Sequence, residues 1–356
     1  MAHTLSARRQ SLTMRLAALI LVGVTAWPAA AQDLGKAARD LALYPGADRN
    51  DKLVELAKRE GELSVYHVYP NLPVVMAAFT KKYGIKIKAW RAGSEAVLQR
   101  VATEARGGRH EVDIVQNNAP ENEAAFREKL LQEVASVHLK DLIPAAAPAH
   151  RSWVGITLDV WTAAYNTNLV KKEDLPRNYQ ELLDPKWKGK LGIEANNHAW
   201  FGALMDALGE EAGSKLFANI VAANGISPRK GHSALTQLVA TGDIPLALTV
   251  YGWNPVQLRK KGAPIDSWII TPMLGQPSTI AMLKRAPNPA SALLFHDFMI
   301  SEGQKLLAEA DFVPISKLLA SPYPGVQIRM IDPARALDMQ ERWEKSFDEM
   351  ILKKAR

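Results

Sequence analysis

The sequence predicts an α/β protein of two lobes, each a doubly wound sheet flanked by helices, joined by two hinge strands. Three observations carry that prediction. Strand, loop and helix patterns alternate ahead of Gly155 and begin again beyond Val170, as parallel sheets with crossover helices require. Between the two series stands Gly155 to Val170, rich in β-branched and aromatic residues and bearing the turn signal Asn166-Thr167-Asn168; it reads as a buried strand. A second strand, Ser278 to Lys284, closes the second series. The two strands are expected to connect one lobe (32–160 and 282–325) to the other (161–281), with 326–356 a loop and a charged helix of open assignment.

In order, Leu53, Val54, Leu56 and Ala57 share one face of a helix from Asp51 to Arg59, ended by Gly61. Leu63 to Val68 alternates as a strand and stops at the loop Tyr69-Pro70-Asn71. Pro73 opens a helix through Thr80. Ile85 to Trp90 is the second strand, and Gly93-Ser94 caps the next helix, with Glu95 in its first turn. Val112 to Val115 is a short strand before the loop Gln116-Asn117-Asn118; Pro120 starts a helix to about Leu131. Past the hinge, a short helix bracketed by Pro176 and Pro185 precedes the strand Leu191 to Glu194 and the loop Ala195 to His198. A helix over 199–208, another after Glu211, a basic loop Ser227 to His232 and a helix capped by Ser233 follow. Ile244 to Val250 is a strand ending at Tyr251-Gly252-Trp253-Asn254. Helices over 290–300 and from Gly303 complete the pattern.

The N-terminus is not part of this fold. Arg8, Arg9 and Arg15 precede the short apolar run Leu16 to Val24 and the small residues Ala29-Ala30-Ala31, a secretory signal with cleavage expected after Ala31. The run is shorter than the ~20 residues a membrane span needs. The mature protein is therefore expected to be soluble, periplasmic, monomeric and without a span. Cysteine is absent, which excludes disulfides, thiolate metal sites and a lipidated N-terminal cysteine. The segment carries three arginines and no acid, so its removal lowers the formal charge of +7 by three. The remaining basic residues are scattered, which is not a nucleic-acid footprint.

Three stretches then carry a resemblance: Tyr165-Asn166-Thr167; Tyr179 to Leu191, with Asp184-Pro185-Lys186-Trp187-Lys188-Gly189-Lys190-Leu191; and Ala286-Pro287-Asn288-Pro289 through Ser301-Glu302-Gly303-Gln304. On these the chain resembles the periplasmic solute-binding proteins of ABC importers, in the group that includes the ferric-ion-binding proteins. The resemblance implies the type II periplasmic-binding-protein fold, closure over a solute, and delivery to a membrane permease with its ATPase. Iron-binding members resemble one another in a Tyr-Tyr pair after the strand equivalent to Ile244 to Val250, with a His in the first loop and a Glu in the third. Here the pair falls on Gly252-Trp253, leaving Tyr251; the His position falls near Tyr69-Pro70 and the Glu position on Asn118. A ferric ion favours anionic oxygen ligands, so no metal site is assigned. Tyr66 and His67 keep a shifted iron site open as the alternative.

In doubly wound sheets the ligand lies beyond the carboxyl ends of the strands, at helix N-termini. The loops Arg91–Ser94, Asn196–Ala199 and Arg229–Ser233 each offer free amides for an anion, and Arg91 or Arg229 could add a bidentate bond. Tyr66, Tyr69, Tyr251, Trp200 and Trp253 are candidate stacking walls. Asn117, Asn118, Asn196 and Asn197 suit hydroxyl or carboxylate oxygens, and His198 either bonds a ligand or caps its helix. With Gly93, Ser94 and Ser233, these are the candidate ligand-binding residues. Acids are few in these loops, Glu95 and Glu194 excepted, which argues against a polycation. The expected ligand is a small organic anion: a carboxylate, phosphonate or phosphate ester. No cofactor is expected. No Gly-x-Ser-x-Gly elbow, His-Glu-x-x-His helix or phosphate-binding lysine loop is present, which leaves an enzyme on this fold as the competing class.

Overall fold

The computed structural model describes residues 35–353, so the predicted signal segment lies outside the described residues. Eleven strands form one mixed sheet among the described residues, with the path β2-β1-β3-β9-β4-β7-β5-β6. β1 (Glu62–His67), β2 (Lys86–Arg91) and β3 (Ile114–Asn118) run parallel and form one end. β5 (Leu191–Glu194), β6 (Ser227–Arg229) and β7 (Leu246–Tyr251) run parallel and form the other. Between them lie β4 (Val154–Asn166) and β9 (Met273–Met282), antiparallel to each other and buried along their whole lengths. β8 (Ile265–Trp268) and β10 (Val313–Pro314) pair with β4, and β11 (Ile328–Met330) with β9.

β4 serves two hydrophobic cores in succession. Val154, Ile156, Leu158 and Val160 belong to the first, and Trp161, Ala163 and Tyr165 to the second. In the first lobe, helices α1 (Arg49–Glu60), α2 (Leu72–Tyr83), α9 (Pro289–Met299) and α10 (Gly303–Glu309) cover one face of the sheet, with Phe79 packed edge-on to Phe295. α3 (Ser94–Arg106) and α4 (Ala119–Arg127) cover the other. In the second lobe, α5 (His198–Leu208) and α6 (Glu210–Asn224) lie on one face and α7 (His232–Thr241) and α8 (Trp253–Lys260) on the other. Helices on both faces make each end a doubly wound unit, with β4 and β9 as the hinge strands. The tail does not form one helix: after β11 come α11 (Pro333–Asp338) and α12 (Gln340–Phe347), and Trp343, Phe347 and Ile351 enter the second core.

Several boundaries depart from the sequence expectation, each for a physical reason. The second hinge strand is Met273–Met282 rather than Ser278 to Lys284. Gly275, Gln276 and Pro277 all pair with β4, and a Cβ on Gly275 would stand 3.2 Å from the Asp159 carbonyl oxygen. Gln116, Asn117 and Asn118 belong to β3 rather than to a loop. The Gln116 carboxamide accepts the amides of Val68 and Tyr69 at 2.9 and 3.2 Å and donates to Ser278 Oγ at 2.7 Å, so the polar side chain is sealed in. The residue capping α7 is Gly231, at φ +89°, not Ser233, which is exposed on the first turn. The predicted helix between Pro176 and Pro185 is a single 3-10 turn, Tyr179–Leu183, and Ser227–Arg229 is a strand rather than a loop.

Candidate ligand-binding cleft

Four helix N-termini open on one cavity of about 430 Å³ between the lobes. Gly93 and Ser94 bring the start of α3, Asn118 and Pro120 that of α4, Asn197 and His198 that of α5, and Gly231 and His232 that of α7. None of the four has a side-chain cap, which leaves first-turn amides of α3, α5 and α7 available to a ligand; in α4 Pro120 has no amide hydrogen and the Glu121 amide bonds its own carboxyl. Local bonds fix these ends in place. Asn118 Nδ2 donates to Ser94 Oγ at 2.8 Å and Asn117 Nδ2 to the Ser94 carbonyl at 3.1 Å, tying α3 to the end of β3. Across the cavity, the buried Glu194 carboxylate accepts the Asn196 amide at 2.7 Å and the Gly231 amide at 2.8 Å, tying α5 to α7.

Among the described residues that line the cavity none is Lys or Arg; the charged ones are Glu95, Glu121 and Glu194. Two donors there, Asn197 Nδ2 and Trp161 Nε1, are closed from solvent and have no partner, as are two acceptors, Glu121 Oε2 and Gln276 Oε1. Unpaired buried polar atoms cost about 1–3 kcal/mol each, so a ligand group that reached any of these four would recover part of that cost. Burial pushes the Glu121 carboxyl up to about 7; its own amide opposes the shift and the Glu95 charge adds to it. Burial and the charges of Asp159, Glu121 and Glu194 hold the Tyr251 phenol well above its ordinary range. His232, its ring 4.1 Å from that of Tyr251, is lowered by burial despite the nearby Glu194. No group of three or more His, Asp or Glu among the described residues is placed to hold a metal ion.

Residues 69–306 match the family described as bacterial extracellular solute-binding protein. The chain belongs to that family. Its relatives include iron uptake protein A1 of Synechocystis (26% identical over 273 residues, 69% of this chain and 74% of that protein). They also include a candidate 2-aminoethylphosphonate-binding periplasmic protein of Salmonella typhi (26% identical over 243 residues, 65% of this chain and 70% of that protein). Among solved structures, the periplasmic binding protein AfuA of Actinobacillus pleuropneumoniae with fructose-6-phosphate bound superposes with a TM-score of 0.72 at 19% identity, covering 82% of this chain and 99% of that one. Iron-bound HitA of Pseudomonas aeruginosa gives 0.69 at 22%, covering 80% and 99%. At these identities the structural likeness shows the fold, the two-lobed type II binding-protein fold, and this chain is a solute-binding protein of the ABC-transporter type.

Of the residues singled out in the sequence, this solute-binding protein brings Gly93, Ser94, Asn118, Asn196, Asn197, His198 and Tyr251 to the cavity. The others lie elsewhere. The Tyr66 hydroxyl donates to Glu104 at 2.9 Å, its ring edge-on to Trp90 and beneath Arg100; burial raises its phenol to about 12. His67 is buried with Nδ1 2.9 Å from the Tyr69 carbonyl, and burial lowers it. Tyr69 is sealed in the first core, 2.7 Å from Asp159. Asn117 positions Ser94 from behind. Trp200 and Trp253 are core residues, in the second and first cores respectively. Arg91 and Arg229 are exposed and bond the Val68 and Pro228 carbonyls at 3.2 and 2.9 Å. Glu121, Trp161, His232 and Gln276 were not among the sequence candidates, lying in first helical turns, on β4, or on the part of β9 outside the expected strand; nor were the tail residues Ala336, Leu337, Gln340 and Trp343.

Proposed function

We propose that this protein captures a small organic anion, a phosphonate, phosphate ester or carboxylate, whose body carries hydroxyl or ammonium donors. It carries the ligand, as a periplasmic monomer released from its signal segment after Ala31, to a membrane permease and its ATPase. The lobes that close are 32–160 with 282–325 and 161–281. One observation carries the ligand reading: uncapped helix ends and two unpartnered donors share a cavity with two unpartnered acceptors. The anionic head takes the amides of α3, α5 and α7 with Asn197 and Trp161; the body takes Gln276 and Glu121. The family is one of binding proteins, and the ligand is expected to leave chemically intact.

Native mass spectrometry of protein taken from the periplasm should show an organic adduct, and calorimetry should reproduce its binding with 2-aminoethylphosphonate or fructose 6-phosphate. Glu121→Gln separates the two donor types. An ammonium ligand loses its charge partner, a cost of about 1.5–3 kcal/mol. A hydroxyl ligand keeps an acceptor and changes little. Iron is the second reading, since Tyr251 shares the cavity with Glu121 and Glu194 and relatives include iron uptake protein A1. Bound iron without an organic adduct would decide for it, and turnover of the bound compound would decide for an enzyme.

A further inference from the structure

The family match ends at residue 306, yet the segment beyond it reaches the cleft: Ala336, Leu337, Gln340 and Trp343 all line the cavity. How that segment is held differs between the lobes. On the second lobe it is rooted by burial. Trp343 lies flat on Gly202 of α5, where a Cβ would come within 1.9 Å of the indole, and Phe347 packs against Phe201 and His198 with ring centroids 5.4 and 5.2 Å apart. Arg335 holds Asp206 of the same helix through Nε and Nη2 at 2.8 and 2.9 Å. On the first lobe α11 packs beside α4, and the polar grip is at the surface. Arg127 Nη1 meets Asp338 Oδ1 at 2.5 Å and Nη2 reaches the Ala334 carbonyl at 3.4 Å, both side chains well exposed. Exposed ion pairs are weak and reversible, whereas burial of two aromatic rings is not lightly undone.

We propose that residues 333–343 form a third wall of the ligand site, a latch that rides on the second lobe and docks on the first through Arg127 and Asp338. Asp332 starts α11 by accepting the amides of Ala334 and Arg335 at 2.9 and 3.3 Å, and that places Ala336 and Leu337 towards the cavity and Asp338 towards Arg127. When the lobes part, the surface pair separates while the aromatic root stays, so the wall leaves with the second lobe and uncovers the ligand. The inference rests on the reading of this cavity as the ligand site, but its central claim, docking of the tail across the lobes, can be measured without any ligand.

The chain has no cysteine, so Leu337→Cys supplies a single thiol on the cavity, half-buried and outside the second core. Maleimide should label it slowly in the otherwise native protein and about fivefold faster with Arg127→Asp, the factor a lost exposed pair allows. The exchange Arg127→Asp with Asp338→Arg should restore slow labelling, which a merely structural role of Arg127 would not. Equal labelling rates, or no restoration by the exchange, would overturn the latch. With 2-aminoethylphosphonate and fructose 6-phosphate as probes, whichever the native protein binds should be released faster from Arg127→Asp and at the native rate from the exchange variant. Should the native protein bind neither probe, the labelling rates alone decide the dock.

Discussion

Tyr69 stands just past the carboxyl end of β1 and Tyr251 at that of β7, one strand in each lobe, and they meet opposite fates. Tyr69 is 2% exposed, its ring stacked on Phe312 at 4.6 Å and its hydroxyl 2.7 Å from Asp159 and 2.5 Å from Thr157. Tyr251 lies half-buried on the cavity, between His232 and Trp253. The difference comes from the residues that follow each strand. After β1 the chain continues to Val68 and Tyr69, whose amides are drawn inward by the Gln116 carboxamide. After β7 it turns at Gly252, where a Cβ would meet the Tyr323 hydroxyl at 2.0 Å, and α8 begins at once. A strand-end aromatic is thus a ligand wall only where the next turn leaves it at the rim.

Truncation would break this contrast most sharply. Tyr69→Ala removes a buried ring and should cost about 3–5 kcal/mol of stability, read as a lower urea midpoint; Tyr69→Phe leaves buried Asp159 and Thr157 short of a partner, at about 1–3 kcal/mol. Tyr251→Ala should unfold at a urea concentration much nearer that of the native protein yet lose ligand in calorimetry. A Tyr69→Ala protein as stable as the native one would remove the distinction.

The next largest effect follows from pH. Burial raises the Asp159 carboxyl from its ordinary value near 3.8 to about 7, against the opposing bond from Tyr69. A raised folded value means the native state holds the proton more tightly than the unfolded chain does. Its stabilising effect is therefore complete below pH 3.8 and is lost as pH rises through about 7. Glu121, also raised to about 7, acts in the same direction. Burial lowers His67 and His232, which act in the opposite sense below their ordinary 6.5; above that value the ligand-free protein should lose stability as pH rises towards 8, and Asp159→Asn should flatten that slope in part. An unchanged slope would mean that Asp159 is ionised at its place in the hinge.

Much of this architecture is legible in the sequence because it rests on local rules. Alternating apolar residues placed β1 and β2, prolines at 73, 120 and 289 marked helix starts, and the run of branched and aromatic residues marked β4. The cleft was readable only where its residues sit at strand ends followed by a helix, as with Ser94, Asn118 and Asn197. Gln276 could not be read because it lies on the part of β9 outside the expected strand, between Gly275 and Pro277 in a run that is buried throughout. Glu121 could not be read because a glutamate in a first helical turn looks like ordinary dipole stabilisation, and only the fold shows its oxygen closed from water. The tail escaped for another reason: its place depends on Gly202, more than a hundred residues away, being small enough to seat Trp343.

The smallest expected effect tests the basic residues. Anion recognition argued from sequence alone would give Arg229 a bidentate contact worth about 1.5–3 kcal/mol. Its guanidinium instead lies in solvent with Nη1 on the Pro228 carbonyl, and Arg91 is likewise turned back on its own loop. With four helix ends on the cavity, fixed amide dipoles supply the positive potential and no cation need be desolvated there. Arg229→Ala and Arg91→Ala should therefore each change calorimetric affinity by less than about twofold, inside the few tenths of a kcal/mol usual for surface substitutions, and equally at low and high salt. A tenfold, salt-sensitive loss on Arg229→Ala would shift the anion from the helix ends to the loop before α7, and Tyr251 would then face an empty part of the cleft.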